Sequence, residues 1–370
     1  MKKNLFILAA TAAMLASCSN DETTAVNTAL TAPQEITFRS TTDGMTRAVN
    51  TDLSYLQTNG IYVSARNSTG DTEYSNFTNK HFTYSASVWS SSPAYHWPSS
   101  GNLDFYAYAP AASGQITAHA DYKTFAVTPS STAAEQIDLV FANANEKNKS
   151  NSGTGVALNF RHAESMVAIN LKNSVAAMTM TVGAVVIGNV KNSGVYTYTK
   201  IAAGTTAAST FLLNSDWDTT SGTNTTYTQT VTDGSAYSSS TAAQAGVDMI
   251  LIPQDMTKAT TYVSSDAGAL FNGPYITVQL KIQQGGAYIV GTSESFVTAM
   301  WPLPTLTWAP GHKYTYIIDL STGGYYTTNQ NGTTNALDPI ISGSDEIKFA
   351  GVTIDNWDTA SPAGDQTVSM

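Results

Sequence analysis

Apolar and polar residues alternate in short runs along most of this chain. The clearest run is Leu103-Asp104-Phe105-Tyr106-Ala107-Tyr108-Ala109. In a strand, Leu103, Phe105, Ala107 and Ala109 share one face and Asp104, Tyr106 and Tyr108 the other. Shorter runs at 60–65, 82–84, 137–141, 156–160, 166–171, 249–252, 275–282, 314–318 and 347–354 also read as strands. Residues 179–187 are apolar and β-branched, as in a buried strand. Clusters of Gly, Asn, Ser, Thr and Pro separate these runs, and helical periodicity is nearly absent. The pattern predicts an all-β fold of sandwich type. Two polar stretches interrupt it. Residues 143–155 (NANEKNKSNSGTG) read as a strand-free linker, which divides the body into an N-terminal sandwich at 48–155 and a C-terminal one at 156–370. Residues 214–246, rich in Ser, Thr, Gly and Asn, read as long exposed loops.

The first 47 residues follow a different plan. Lys2 and Lys3 precede an apolar run from Leu5 to Leu15. That run falls short of the roughly 20 residues a spanning helix needs and fits a signal peptide over residues 1–17. Cys18, the only cysteine, follows Leu15-Ala16-Ser17 and is the candidate lipid acceptor. Ser19-Asn20-Asp21-Glu22 adds a short acidic patch. Residues 18–47 then form a leader with one strand-like segment, Glu35-Ile36-Thr37-Phe38-Arg39, in which Ile36 and Phe38 face the same way. The leader closes at Thr46-Arg47-Ala48, after a polar, Gly-containing stretch that a trypsin-like protease can extend into its cleft. The expected cut lies between Arg47 and Ala48.

Composition narrows the function. The formal charge is −10 and only 12% of residues are charged, which argues against nucleic acid as a partner. One cysteine allows no internal disulfide, so packing must hold the fold. His81, His96, His119, His162 and His312 are scattered, with no H-E-x-x-H or cysteine-paired zinc spacing. His162 and Glu164 share a strand face, an arrangement more often structural than metal-binding. Asp216-Trp217-Asp218 resembles the start of a calcium loop but lacks the Gly and Glu at the required spacing. No G-x-S-x-G or phosphate-cradling loop appears. The expectation is no enzyme, no cofactor and no metal. The 19 Tyr and 6 Trp residues suit strands and core edges, and sugar stacking is the competing reading.

Five stretches carry a family resemblance. They are Tyr95-His96-Trp97-Pro98 with Leu103–Tyr108, Phe160-Arg161-His162, Leu251-Ile252-Pro253-Gln254, Trp308-Ala309-Pro310-Gly311 with Tyr314, and Ile347-Lys348-Phe349 with Trp357. In this order, with the Cys18 and Arg47 sites, the chain resembles the fimbrillin family, the type V pilus subunits of Gram-negative gut and oral anaerobes. The resemblance implies two transthyretin-like β-sandwich domains and export as an acylated lipoprotein precursor. It also implies cleavage by an arginine-specific surface protease and polymerisation by strand exchange. The implied partners are other fimbrial subunits, that protease, the outer membrane through the precursor's lipid, and a host or bacterial surface receptor. The implied location is the cell outer membrane for the precursor and the surface fimbrium for the mature chain. A surface-anchored glycan-binding lipoprotein and a pilus tip adhesin are the alternatives. Asp218-Thr219-Thr220 and Asp358-Thr359-Ala360 resemble short O-glycosylation signals of such bacteria.

An internal match suggests how subunits join. Glu35-Ile36-Thr37-Phe38 in the leader is echoed by Glu346-Ile347-Lys348-Phe349 near the end. Ile36 and Phe38 are therefore the candidate removable strand. The candidate donor strand lies near 347–357, with Ile347, Phe349, Val352 and Ile354 as its apolar set. The change of phase at Ala350-Gly351 reads as a bulge or bend.

Overall fold

A computed structural model describes residues 33–40, 51–110, 114–151, 155–200, 214–237, 239–260, 262–265, 268–327, 339–341 and 351–356. The chain divides into two units, Met1–Gln34 and Glu35–Met370, and the architecture below is that of the second. It is almost entirely β, as the alternating runs predict.

An eight-stranded sheet gathers the N-terminal part. From one edge its order is Arg161–His162, Val140–Lys147, Leu103–Ala109, Ile61–Asn67, Lys80–Ser85, Val88–Ser90, Phe38–Ser40 and Val156–Leu158. The Lys80–Ser85 strand pairs with Ile61–Val63 through its first half and with Val88–Ser90 through its second. One strand thus joins two arms whose side chains meet in a common core. Phe77, Phe82, Trp89, Leu103, Phe105 and Leu158 are fully buried there.

The C-terminal part pairs a five-stranded sheet with a six-stranded one. The first runs Ala243–Gln244, Ser165–Lys172, His312–Asp319, Gly351–Asn356, with Met249–Leu251 also paired to Ser165–Lys172; the second Asn224–Tyr237, Met178–Lys191, Tyr275–Gln284, Val297–Pro302, Tyr325–Tyr326, with Ala287–Val290 also paired to Tyr275–Gln284. Their core includes Val167, Ile169, Val185, Ile187, Ile276, Trp301 and Tyr316. A four-stranded sheet joins Thr124–Val127 to Gly194–Thr197, flanked by Ile116–Ala118 and Trp217–Asp218. It carries a third cluster of Tyr106, Tyr108, Phe125, Phe141, Tyr196, Tyr198 and Trp217.

Two expectations need correction. Residues 143–147 are not linker: they complete the Val140–Lys147 strand, a mostly buried inner strand of the first sheet. The asparagines mislead because the Asn143 amide finds its partners inside. Asn143 Nδ2 donates to Asn145 Oδ1 at 3.1 Å and to the Thr199 carbonyl at 3.0 Å, which removes the usual cost of burying an amide. The region 214–246 is not mainly loop either. Asn224–Tyr237 is a 14-residue strand along Met178–Lys191. Tyr227, Gln229 and Val231 point inward at alternate positions while Thr226 and Thr228 are exposed, so Thr serves as the β-branched outer face. Among the described residues the one α-helix is Leu53–Asn59, capped by Asp52, whose Oδ1 accepts the Tyr55 N–H at 2.7 Å.

Candidate functional site

The leader segment lies inside the first sheet. Phe38 pairs antiparallel with Trp89, and Phe38, Arg39 and Ser40 pair in parallel with Val156, Ala157 and Leu158. The Ile36 N–H donates to the Tyr95 carbonyl at 2.7 Å, and the Val156 N–H to the Thr37 carbonyl at 2.8 Å. Glu35 forms an isolated bridge with His96. Among the described residues the Val156–Leu158 strand pairs with no other strand. Without Phe38–Ser40 the sheet therefore has a slot one strand wide.

Ile36 and Phe38 are both 0% exposed. The Phe38 ring meets Phe82 and Phe105 edge-on, with centroids 4.9 and 5.1 Å apart, a geometry favoured by aromatic quadrupoles. Each side chain contributes roughly 1.5–3 kcal/mol on burial, while fixing each leader residue costs about 1–2 kcal/mol of backbone entropy. Gly155 shapes the slot. Its φ is +84°, and a Cβ there would sit 3.1 Å from the Phe38 carbonyl carbon and 3.3 Å from the Thr37 oxygen. Gly155→Ala is expected to cost the uncut chain about 1–3 kcal/mol, read as a lower unfolding midpoint. An unchanged midpoint overturns this role.

On the other side of residues 41–50 the chain is pinned by a buried polar group. The Thr51 N–H donates to Asp138 Oδ2 at 3.3 Å, and its hydroxyl donates to the Asp138 carbonyl at 2.6 Å. Asp138 Oδ1 lies 2.7 Å from His162 Nδ1, with both side chains almost wholly buried. Glu164 is buried beside them and its Oε2 accepts the Leu139 N–H at 3.2 Å. Burial first, and then the Asp138 carboxylate, push the Glu164 carboxyl well above its ordinary value, with the Leu139 N–H pulling the other way. Sequence reasoning missed Thr51 and Asp138, which lie far apart in the chain and match no motif.

The predicted site residues do not all meet. Ile36 and Phe38 belong to the first core. Val352 and Ile354 lie in the Gly351–Asn356 strand, opposite Tyr316 and Tyr314 of their own chain. There Val352 is 1% exposed in the C-terminal core. Cys18, Arg47, Ala48, Ile347 and Phe349 lie outside the described residues. Among the described residues no three His, Cys, Asp or Glu side chains gather as a metal site. His81 stacks on Tyr62, and His312 bonds the Pro310 carbonyl. Asp216 accepts the Thr199 hydroxyl and Asp218 the Thr220 N–H and hydroxyl, so the calcium-like triplet is held by local hydrogen bonds.

Comparison with known proteins points one way. A family model described as fimbrillin-like matches residues 46–357. No curated protein matches the chain. Among solved structures, the chain is similar to a fimbrial protein from Bacteroides vulgatus at 17% identity and a TM-score of 0.48, covering 88% of this chain and 99% of that one. It is also similar to a candidate cell adhesion protein from Bacteroides uniformis at 18% identity and a TM-score of 0.45, covering 87% and 98%.

Proposed function

Because the chain belongs to the fimbrillin-like family, and so has a fimbrial or adhesive role at the cell surface, we propose that it is a structural subunit, stalk or accessory, of a surface fimbria. It is made as a lipoprotein precursor acylated at Cys18 and anchored in the outer membrane. Stable attachment of this kind takes more than one acyl chain. An arginine-specific surface protease cuts between Arg47 and Ala48. The leader strand then leaves, and a strand from the next subunit takes its place by β-strand addition.

One observation carries this reading. A segment N-terminal to the cut site fills an inner position of the first sheet, with Ile36 and Phe38 fully buried. Ordinary leaders do not supply part of the body's core. The donor is assigned to the 347–357 region, whose Ile347 and Phe349 repeat the spacing of Ile36 and Phe38. Val352 and Ile354, docked in their own chain's sheet, would extend that donor only by leaving their place there.

Arg47→Ala is the direct test. The variant is expected to accumulate as a folded, lipidated precursor with no multimers on SDS gels of surface material. A normal multimer ladder from Arg47→Ala cells overturns the maturation step. An acylated Cys18 in the final surface product favours the anchored glycan-binding alternative.

A further inference from the structure

Among the described residues, large apolar side chains are exposed at Val175, Val247, Tyr288 and Ile289, by 38%, 48%, 41% and 46%. Val175, Tyr288 and Ile289 gather at one end of the C-terminal sheets. The Ser165–Lys172 strand starts beside Glu164 and ends in the turn 173–177, which leads into Met178–Lys191. In that turn the Met178 N–H donates to the Val175 carbonyl at 2.9 Å and Asn173 Nδ2 to the Met178 carbonyl at 2.7 Å. Met178 pairs with Gln284, the last residue of Tyr275–Gln284. Gly285 and Gly286, at φ +58° and +83°, then turn the chain into Ala287–Val290. A two-residue hairpin loop of this kind needs positive φ at both positions.

Ala287–Val290 is an unguarded edge. It pairs with Tyr275–Gln284 on one side, and among the described residues no strand pairs with the other. Ala287, Tyr288 and Ile289 are all exposed, so neither face of the strand is covered there. Edge strands are commonly blunted by Lys, Pro or an inward charge, and this one has none. Residues 173–190 and 282–293 contain no charged residue at all. The flanking lysines are engaged in their own chain. Lys172 pairs with Asp319 at 3.8 Å, and Lys281 Nζ donates to the Ser293 carbonyl at 2.7 Å and lies 4.3 Å from the Phe296 ring centre.

We propose that this hairpin docks a second copy of the same chain, the two Ala287–Val290 strands pairing antiparallel about a two-fold axis. Charge selects a copy here. The chain carries a formal charge of −10, so two copies repel over much of their surface and approach best at a neutral end. Geometry selects it too. An antiparallel strand pair is self-complementary, and a two-fold contact closes on itself. Membership of the fimbrillin-like family, which implies assembly with other fimbrial subunits, supplies partners of the same kind. Two side chains and a four-residue strand cover far less than the roughly 800 Å² per partner of a stable complex. The pair is therefore weak between single chains and gains by avidity where subunits stand in rows. It requires neither the cut at Arg47 nor the exchange of a strand.

The test uses the purified full chain with Cys18→Ser, which removes the native thiol. In a two-fold antiparallel pair the residue on the axis faces its own copy with Cα atoms about 4.5–5.5 Å apart, inside the reach of a disulfide. Under oxidised glutathione, which takes up the two electrons and two protons, either Tyr288→Cys or Ile289→Cys is expected to form disulfide dimers at least tenfold faster than Val247→Cys. Val247 is a similarly exposed control beside Gln229. Sedimentation of the chain without added cysteines should show a dimer growing in between roughly 10 μM and 1 mM. Tyr288→Lys combined with Ile289→Lys should abolish it, and both positions are exposed, so the fold is kept. Equal rates at all three cysteine positions, or a monomer throughout, overturns the proposal. Arg47→Ala is expected to keep the pair; a pair lost in that variant belongs to strand exchange and overturns the proposal as well. A pair that forms in cells lacking any multimer ladder sinks the assembly reading and leaves this inference standing.

Discussion

Phe38→Asp is expected to open the slot without any cut. The wild-type ring sits between Phe82 and Phe105, fully buried. A carboxylate there loses the aromatic contacts and meets no positive partner in an apolar pocket, a cost of several kcal/mol. The leader has a cheaper course, which is to leave and hydrate. The uncut variant should therefore show a red shift of Trp89 fluorescence, since that ring is 0% exposed opposite Phe38. Combined with Arg47→Ala, it should restore multimers that Arg47→Ala alone lacks. The milder Phe38→Ala removes about 3–5 kcal/mol of packing and should give the same opening while sparing the fold from a charge. A Phe38→Ala/Arg47→Ala chain that stays monomeric with an unshifted Trp89 signal contradicts the slot as the site of exchange.

Glu164→Gln is expected to stabilise the protein, and increasingly so as pH rises. In the unfolded chain the carboxyl loses its proton near 4.5, while burial keeps it protonated to well above that in the folded state. Between those two values the folded chain binds the extra proton, so its stability falls with rising pH. Below about pH 4 the group costs nothing. Above its unfolded value the penalty grows by about 1.4 kcal/mol per pH unit until the folded carboxyl ionises. Glutamine keeps an oxygen to accept the Leu139 N–H and cannot ionise. Urea unfolding at pH 4 should show little difference between the two proteins. At pH 7 the variant should be clearly more stable than the wild type, and by more than at pH 5. A gain that does not change with pH would mean that ionisation is not its cause.

Much of the fold was legible because its strands follow simple alternation. Leu103–Ala109, Ser165–Lys172 and Tyr275–Gln284 bury the residues their patterns nominate. The misreadings share a physical cause. Asn143 and Asn145 look like loop residues until one sees that they bond each other inside the sheet. The Thr-rich Asn224–Tyr237 strand looks like loop because threonine is both polar and β-branched. In each case tertiary partners decide, and a single sequence does not display them. The docking of Glu35–Ser40 as a strand was legible as an alternating island, Ile36 and Phe38, in the first fifty residues. Its socket was not. Trp89 lies more than sixty residues before Gly155 and Val156, and they come together only through pairing with Phe38. The Thr51–Asp138–His162 anchor was hidden for the same reason.

The aromatic cluster on the four-stranded sheet bears on how such a subunit carries load. Tyr106, Tyr108 and Phe141 come from strands of the eight-stranded sheet, while Tyr196, Tyr198 and Trp217 follow the start of the C-terminal sheets. Phe141 stacks on Tyr196 with centroids 4.5 Å apart, the Tyr198 hydroxyl donates to the Ala107 carbonyl, and Trp217 Nε1 donates to the Ala163 carbonyl at 3.0 Å. Interlocked rings resist shear because sliding any one of them opens a void beneath its neighbour. A pull applied at the slot and a counter-pull at the far sheets would thus meet a welded joint instead of a hinge. In a filament of such subunits, compliance then belongs to the seams between neighbours, and each protomer behaves as a stiff link of a chain.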